Sequence, residues 1–207
     1  MTTPSGLRAA KKLETWRSLR SAAVELVSAR GFDAVSVEEI AAAANVSKST
    51  LFNYFESKES LLLDPDPEDS ARWRTLAQAR PADEPMWESL REILIGTVGC
   101  DGSKLLLRKS MIEQCPALVQ SAWASSEPFR TFVRGWVAQR LALDDDAHRV
   151  SLVVNVAFAI VHAAYRSWDP QRGPGQFTDL VRDGFAVVGD GFLDLGGSPA
   201  ERLPGRI

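Results

Sequence analysis

Residues 36–55, SVEEIAAAANVSKSTLFNYF, constrain the chain more than any other stretch. Two short runs with helical apolar spacing meet at a corner of only a few residues. Ser36 and Glu39 have capping-box spacing, which predicts a helix starting at Val37. Val37, Ile40, Ala41 and Ala44 fall on its inner face. Asn45 tolerates the left-handed backbone of a tight turn, and Ser47 can cap a second helix that buries Leu51 and Phe55. Ser57 can cap a further helix, which the run DPDPED (64–69) should end. This is the layout of a helix-turn-helix.

What points outward on the second helix is Lys48, Ser49, Phe52 and Asn53. A short helix of this kind fits the DNA major groove. Lys can donate to guanine O6 and N7, and Asn can pair with adenine N6 and N7. Thr50, Tyr54 and Lys58 are placed to reach phosphates; Lys58 also lies in the first turn of the next helix, where backbone N–H groups favour an anion. Ser36 and Ser47, at the two helix starts, complete the expected contact set. The chain as a whole carries a formal charge of −3, so binding to nucleic acid requires a local patch. The segment 8–30 provides one: Arg8, Lys11, Lys12, Arg17, Arg20 and Arg30 face only Glu14 and Glu25. Trp16, Leu19, Ala23, Leu26 and Val27 form its apolar face, and Gly31 stands where a helix would end.

Beyond residue 70 the chain reads as longer helices, at about 71–80, 84–98, 103–115, 126–143, 146–168 and 175–194. The most apolar of them, VSLVVNVAFAIVHAAY (150–165), is interrupted by Asn155 and His162 and is too short for a bilayer, so no membrane partner is expected. Cys100 and Cys115 lack metal-ligand spacing, and two thiols without a secretory segment fit a cytoplasmic protein. No metal and no cofactor is expected. GTVGCDGSK (96–104) fails the spacing of a phosphate loop, and the adjacent Asp144, Asp145 and Asp146 would fan out on a helix, so no enzyme is expected either.

RGFDAVSVEEIAAAANVSKSTLFNYFESKESLL resembles the N-terminal domain of TetR-family transcriptional regulators over about residues 13–63. The features that carry the resemblance are the Gly-Phe after the first helix, Val-Ser before the recognition helix, the Thr-Leu-aromatic-x-aromatic-Phe core, and Ser-Lys-Glu. Asn45 and Phe52 depart from the family's usual Gly and Tyr, and the missing hydroxyl removes a phosphate contact at Phe52. The second half is similar to the mycofactocin-regulator subgroup, through TLFxYFxSKE, an acidic-Pro break, RPADEP and L…CPAL. The resemblance implies an all-α homodimer. A three-helix helix-turn-helix DNA-binding domain (13–63) follows a flexible basic arm (1–12). A helical ligand-sensing and dimerisation domain (71–195) precedes a disordered tail (196–207).

It also implies a regulator, expected to be a repressor, that leaves double-stranded operator DNA when a small apolar molecule binds. The ligand class to try first is long-chain acyl-CoA. Expected pocket residues are Trp87, Met111, Trp123, Phe132, Trp136, Phe158 and His162, with plain core as the alternative for each. Phe177, Val181, Gly184, Val188 and Gly191 form one stripe. Its two glycines point to close approach of another helix, across a dimer interface or within one protomer. The Phe52 departure leaves one competing expectation, a helical acyl- or lipid-binding protein that does not bind an operator.

Overall fold

The computed structural model describes residues 4–98, 102–115 and 118–191; the expected tail at 196–207 lies outside them. Among the described residues every regular element is helical. These are α1 (Pro4–Arg30), α2 (Val37–Ala43), α3 (Lys48–Phe52), α4 (Lys58–Leu63), α5 (Asp69–Gln78), α6 (Met86–Val98), α7 (Gly102–Gln114), α8 (Leu118–Ala124), α9 (Glu127–Leu141), α10 (His148–Ser167) and α11 (Gly173–Gly189), with a 3-10 turn at Pro170–Arg172. The basic arm expected to be flexible is helical from residue 4. Ala9, Ala10, Lys11, Lys12 and Leu13 are all strong helix formers, so the helix propagates back through them.

The chain divides into two compact units, Met1–Arg74 with Ser103–Phe132, and Thr75–Gly102 with Val133–Ile207. The break at 64–69 therefore lies inside the first unit, and the chain passes between the units after Arg74, Gly102 and Phe132. Residues 103–132 return to the first unit because α8, which the sequence does not announce, packs on α4. Met111, Leu118 and Ala122 enter the same core as Trp16, Leu19, Ile40, Leu51, Phe55 and Leu61. Met111 thus packs in the core of the helix-turn-helix unit, the alternative weighed for it. Gly31 ends α1 with φ +84°, and its N–H donates to Val27 O at 2.8 Å. Asn45 takes the expected left-handed conformation, φ 54°.

In the second unit α6, α10 and α11 pack together. The expected dimer stripe on α11 proves to be its core face. Phe177 and Val181 are each 1% exposed. Gly184 is the close-approach glycine of the α10–α11 pair: a Cβ there would stand 2.6 Å from Ile160 Cγ2. Gly191 has φ +71° and lies beyond the end of α11, so the stripe stops at Val188, which is half-buried. The alternative within one protomer is the one the structure adopts for Phe177, Val181 and Gly184. α10 buries Val150, Val154, Ala157 and Ala164 and exposes Leu152, Asn155, Ala159 and Ala163 on its other side. At 20 residues and mean hydropathy 1.4 it has the length and composition to cross a membrane, whereas the apolar run 150–165 alone is too short. Its buried face is committed to α11 and α6.

Candidate nucleic-acid interface

Three short helices set the site, and each starts on a serine. Ser36 Oγ accepts from Glu39 N at 3.2 Å while Glu39 Oε2 accepts from Ser36 N at 2.8 Å, closing the capping box. Ser47 Oγ accepts from Thr50 N at 3.0 Å and touches the hydroxyls of Ser49 and Thr50 at 2.9 and 2.8 Å. Ser57 and Ser60 form a second reciprocal box. Helices of five to seven residues are too short to persist on propensity alone, so these caps and the buried Ile40, Leu51 and Leu61 hold them.

The expected outward set is outward. Lys48, Ser49, Phe52 and Asn53 are exposed, Phe52 at 44%; Thr50 is half-buried. Tyr54 is half-buried against the core. α3 closes at Phe52, with Asn53 as its C-cap residue. Lys48 Nζ donates to Glu38 Oε1 at 2.6 Å and lies 5.9 Å from the Phe52 ring centroid. This hydrogen bond holds the Glu38 carboxyl below its usual range. Sequence reasoning passed over Glu38; the charge at the start of α2, opposite the first residue of α3, was the available signal.

Lys58 requires a correction. Its ammonium donates inward to Phe32 O at 2.7 Å and Val35 O at 2.9 Å and sits 3.9 Å from the Phe32 ring centroid. It ties α4 to the α1–α2 turn, and two of its three N–H groups are engaged there. Much of the positive charge of α1 is also committed. Arg17 pairs with Asp66 at 3.1 Å and Glu68 at 2.6 Å. Arg20, half-buried beside Trp16, donates to Leu62 O at 2.8 Å and to Asp64 O. Arg30 pairs with Glu39 at 2.8 Å and donates to Ala34 O. The Arg30 bond, followed by those from Ser36, holds Glu39 down to about 2. Arg8, Lys11 and Lys12 are exposed along the first turns of α1.

The expected pocket residues are divided between the two units. Met111, Trp123 and Phe132 belong to the first unit; Trp87, Trp136, Phe158 and His162 belong to the second. Trp123 is 43% exposed. Phe132 stacks on Phe129 with ring centroids 6.4 Å apart. Trp87 Nε1 donates to Phe185 O at 3.0 Å, and Arg140 lies over Trp136. Phe158 is buried in α10. His162, read as a core or ligand-facing residue, is exposed on the other side of α10 from its buried face, because the 3.6-residue turn puts it near Asn155 and Ala159 rather than Ile160. A cleft of about 450 Å³ in the first unit is lined by Trp16, Glu59, Leu63, Asp64 and Ser121 among others, and none of the seven lines it. Among the described residues no three His, Cys, Asp or Glu side chains gather as a metal site.

A capped three-helix core that presents a short polar helix, with longer helices following, defines a helix-turn-helix transcriptional regulator. Residues 19–64 match the model for bacterial regulatory proteins of the tetR family, and residues 84–193 match that for the MftR C-terminal domain. The chain belongs to the TetR family and carries an MftR-type C-terminal domain. It is 29% identical over 179 residues to the HTH-type transcriptional regulator TcmR of Streptomyces glaucescens, covering 81% of this chain and 79% of that protein. With the putative mycofactocin biosynthesis transcriptional regulator MftR of Mycobacterium tuberculosis it shares 25% identity over 184 residues, covering 87% of this chain and 92% of that one. The fold is also that of FadR of Thermus thermophilus, a TetR-family repressor solved with lauroyl-CoA. The TM-score there is 0.54 and the identity 24%, over 92% of this chain and all of that one.

Proposed function

We propose that this regulator acts in the cytoplasm as a homodimeric repressor that lays α3 of each protomer into one major groove of its operator. The observation that carries the reading is the outward set Lys48, Ser49, Phe52 and Asn53 on a helix capped by Ser47 and pinned by the buried Leu51. Ser49, Thr50 and Tyr54 supply hydroxyls near the phosphates, and Arg8, Lys11 and Lys12 supply charge. The exposed side of α10, with Leu152 at 52%, is the surface that supports pairing of protomers. The two half-sites would lie about 34–36 Å apart or somewhat more.

The MftR-type C-terminal domain is the sensor in this reading. An acyl-CoA is the ligand class to try first, since the FadR fold holds lauroyl-CoA. Its effect on operator binding cannot exceed its differential affinity for the two states. The test is a thermal-shift series with acyl-CoAs of graded chain length, paired with DNA release. Stabilisation that grows with ligand concentration and frees DNA supports the sensor; stabilisation by none of them removes the acyl class. Asn53→Ala should cost about 1–3 kcal/mol on the operator and relax its sequence preference. A loss equal on all duplexes would remove Asn53 from base reading.

A further inference from the structure

We propose that Glu38 is a positioning residue for sequence readout: it holds the Lys48 ammonium on the groove-facing side of α3, so that this cation reads a guanine edge rather than a phosphate. The inference rests on α3 being the groove-facing helix. Both partners are anchored at capped helix starts. Glu38 lies in the first turn of α2, between the capping-box members Ser36 and Glu39, and Glu39 is itself held by Arg30. Lys48 is the first residue of α3, directly after the Ser47 cap. The Nζ–Oε1 distance across the two turns is 2.6 Å, and the Phe52 ring lies on the next turn of the same helix.

Both side chains are more than half exposed. A pair so exposed adds little to folding stability. Its consequence is for what Lys48 can do. A lysine ammonium has three N–H donors. With one on Glu38, two remain, which is the number that guanine O6 and N7 can accept. The carboxylate also neutralises the cation locally, which weakens its pull on any phosphate it meets. Non-specific binding is dominated by phosphate contacts. A lysine withheld from phosphates raises the ratio of operator to non-specific affinity.

The full chain would be titrated, by fluorescence anisotropy, with a mixed-sequence duplex and with an operator selected by the protein itself from randomised duplexes. Both titrations would span roughly 50–200 mM salt. Glu38→Gln should bind the mixed-sequence duplex more tightly, with a log–log salt slope steeper by up to about 0.9, the signature of one further phosphate contact. The operator-to-mixed ratio should fall. Glu38→Ala should show the same steepening, which guards against a folding defect in one variant. In a Lys48→Ala background, removing Glu38 should leave the slope unchanged. The proposal is overturned by an unchanged slope in both Glu38 variants, or by a steepening that persists without Lys48, which would make Glu38 a general repulsive charge. If the unsubstituted protein binds neither duplex in a salt-dependent way, the operator reading falls with it. If that protein binds normally and the Glu38 variants match it, only the role of Glu38 falls.

Discussion

The short helices of the first unit and the long helices of the second are held in opposite ways. In the first, α2, α3 and α4 have seven, five and six residues, and each begins on a serine that accepts a hydrogen bond from its own first turn. In the second, α10 and α11 have 20 and 17 residues and start on Ala147 and Arg172 without any side-chain cap. Short helices are marginal without termini that satisfy their free N–H groups, whereas long ones are carried by the face they bury. The helix-turn-helix segment is therefore specified by polar residues at fixed positions. The second unit is specified by which apolar faces meet, and that leaves more freedom in its sequence.

The sharpest way to test this contrast is at Phe177. If it is core, as its 1% exposure indicates, Phe177→Ala removes about 3–5 kcal/mol of stability. Self-association measured by sedimentation should then be retained at temperatures where the variant stays folded. If association is lost while the melting temperature is kept, Phe177 belongs to an interface and the contrast between the units weakens.

A smaller effect is expected at Lys58, in the capped unit. Its ammonium serves Phe32 O and Val35 O, and hydrogen bonds to charged groups contribute about 1.5–3 kcal/mol. Lys58→Ala should lower stability by that amount and leave the salt slope of DNA binding unchanged. A flattened slope with unchanged stability would return Lys58 to the phosphate contacts and show that the unit keeps more of its charge for DNA than its internal bonds indicate.

Ser36, Asn45, Ser47, Ser57 and Gly31 could be read directly from the sequence, because a cap or a left-handed turn depends on a residue and its immediate neighbours. The face of α3 followed from Leu51 and Phe55 by periodicity alone. Lys58 could not be read in this way: whether a lysine at a helix start faces a phosphate or turns in to two carbonyls depends on where Phe32 and Val35 lie, 23 residues or more away in sequence. Phe177, Val181 and Gly184 were recognised as one stripe with a close helical neighbour, but a stripe does not say whether the neighbour is Ile160 of the same chain or a second copy. The aromatic residues were hardest. Trp87, Trp123, Trp136 and His162 share a composition signal yet occupy unrelated surroundings, since hydrophobicity alone does not distinguish a core, a rim and a pocket. α8 was missed because its seven residues fall between the helices expected at 103–115 and 126–143 and are too few to show a helical period, while the buried Leu118 and Ala122 anchor it.

The smallest expected effects lie in the capping box, and they carry a pH signature. Ser36→Ala should cost about 1 kcal/mol, within a range of roughly 0.5–2, by freeing the Glu39 N–H and one arm of the reciprocal pair. Glu39 is depressed to about 2, first by Arg30 and then by the Ser36 backbone and hydroxyl. An unfolded glutamate titrates near about 4.3. Because the folded value is the lower one, the stability that the ionised carboxylate contributes is fully present above the unfolded value and is lost as pH falls through the folded one. Glu39→Gln should therefore melt below the unsubstituted protein at neutral pH, by a gap that shrinks between about pH 4.3 and about pH 2. Salt should narrow the gap as well, since Arg30 and Glu39 are each 43% exposed. A gap that stays constant down to pH 2 would mean that the box is held by its neutral hydrogen bonds, with Arg30 contributing no charge effect. The first unit would then owe its short helices to geometry alone.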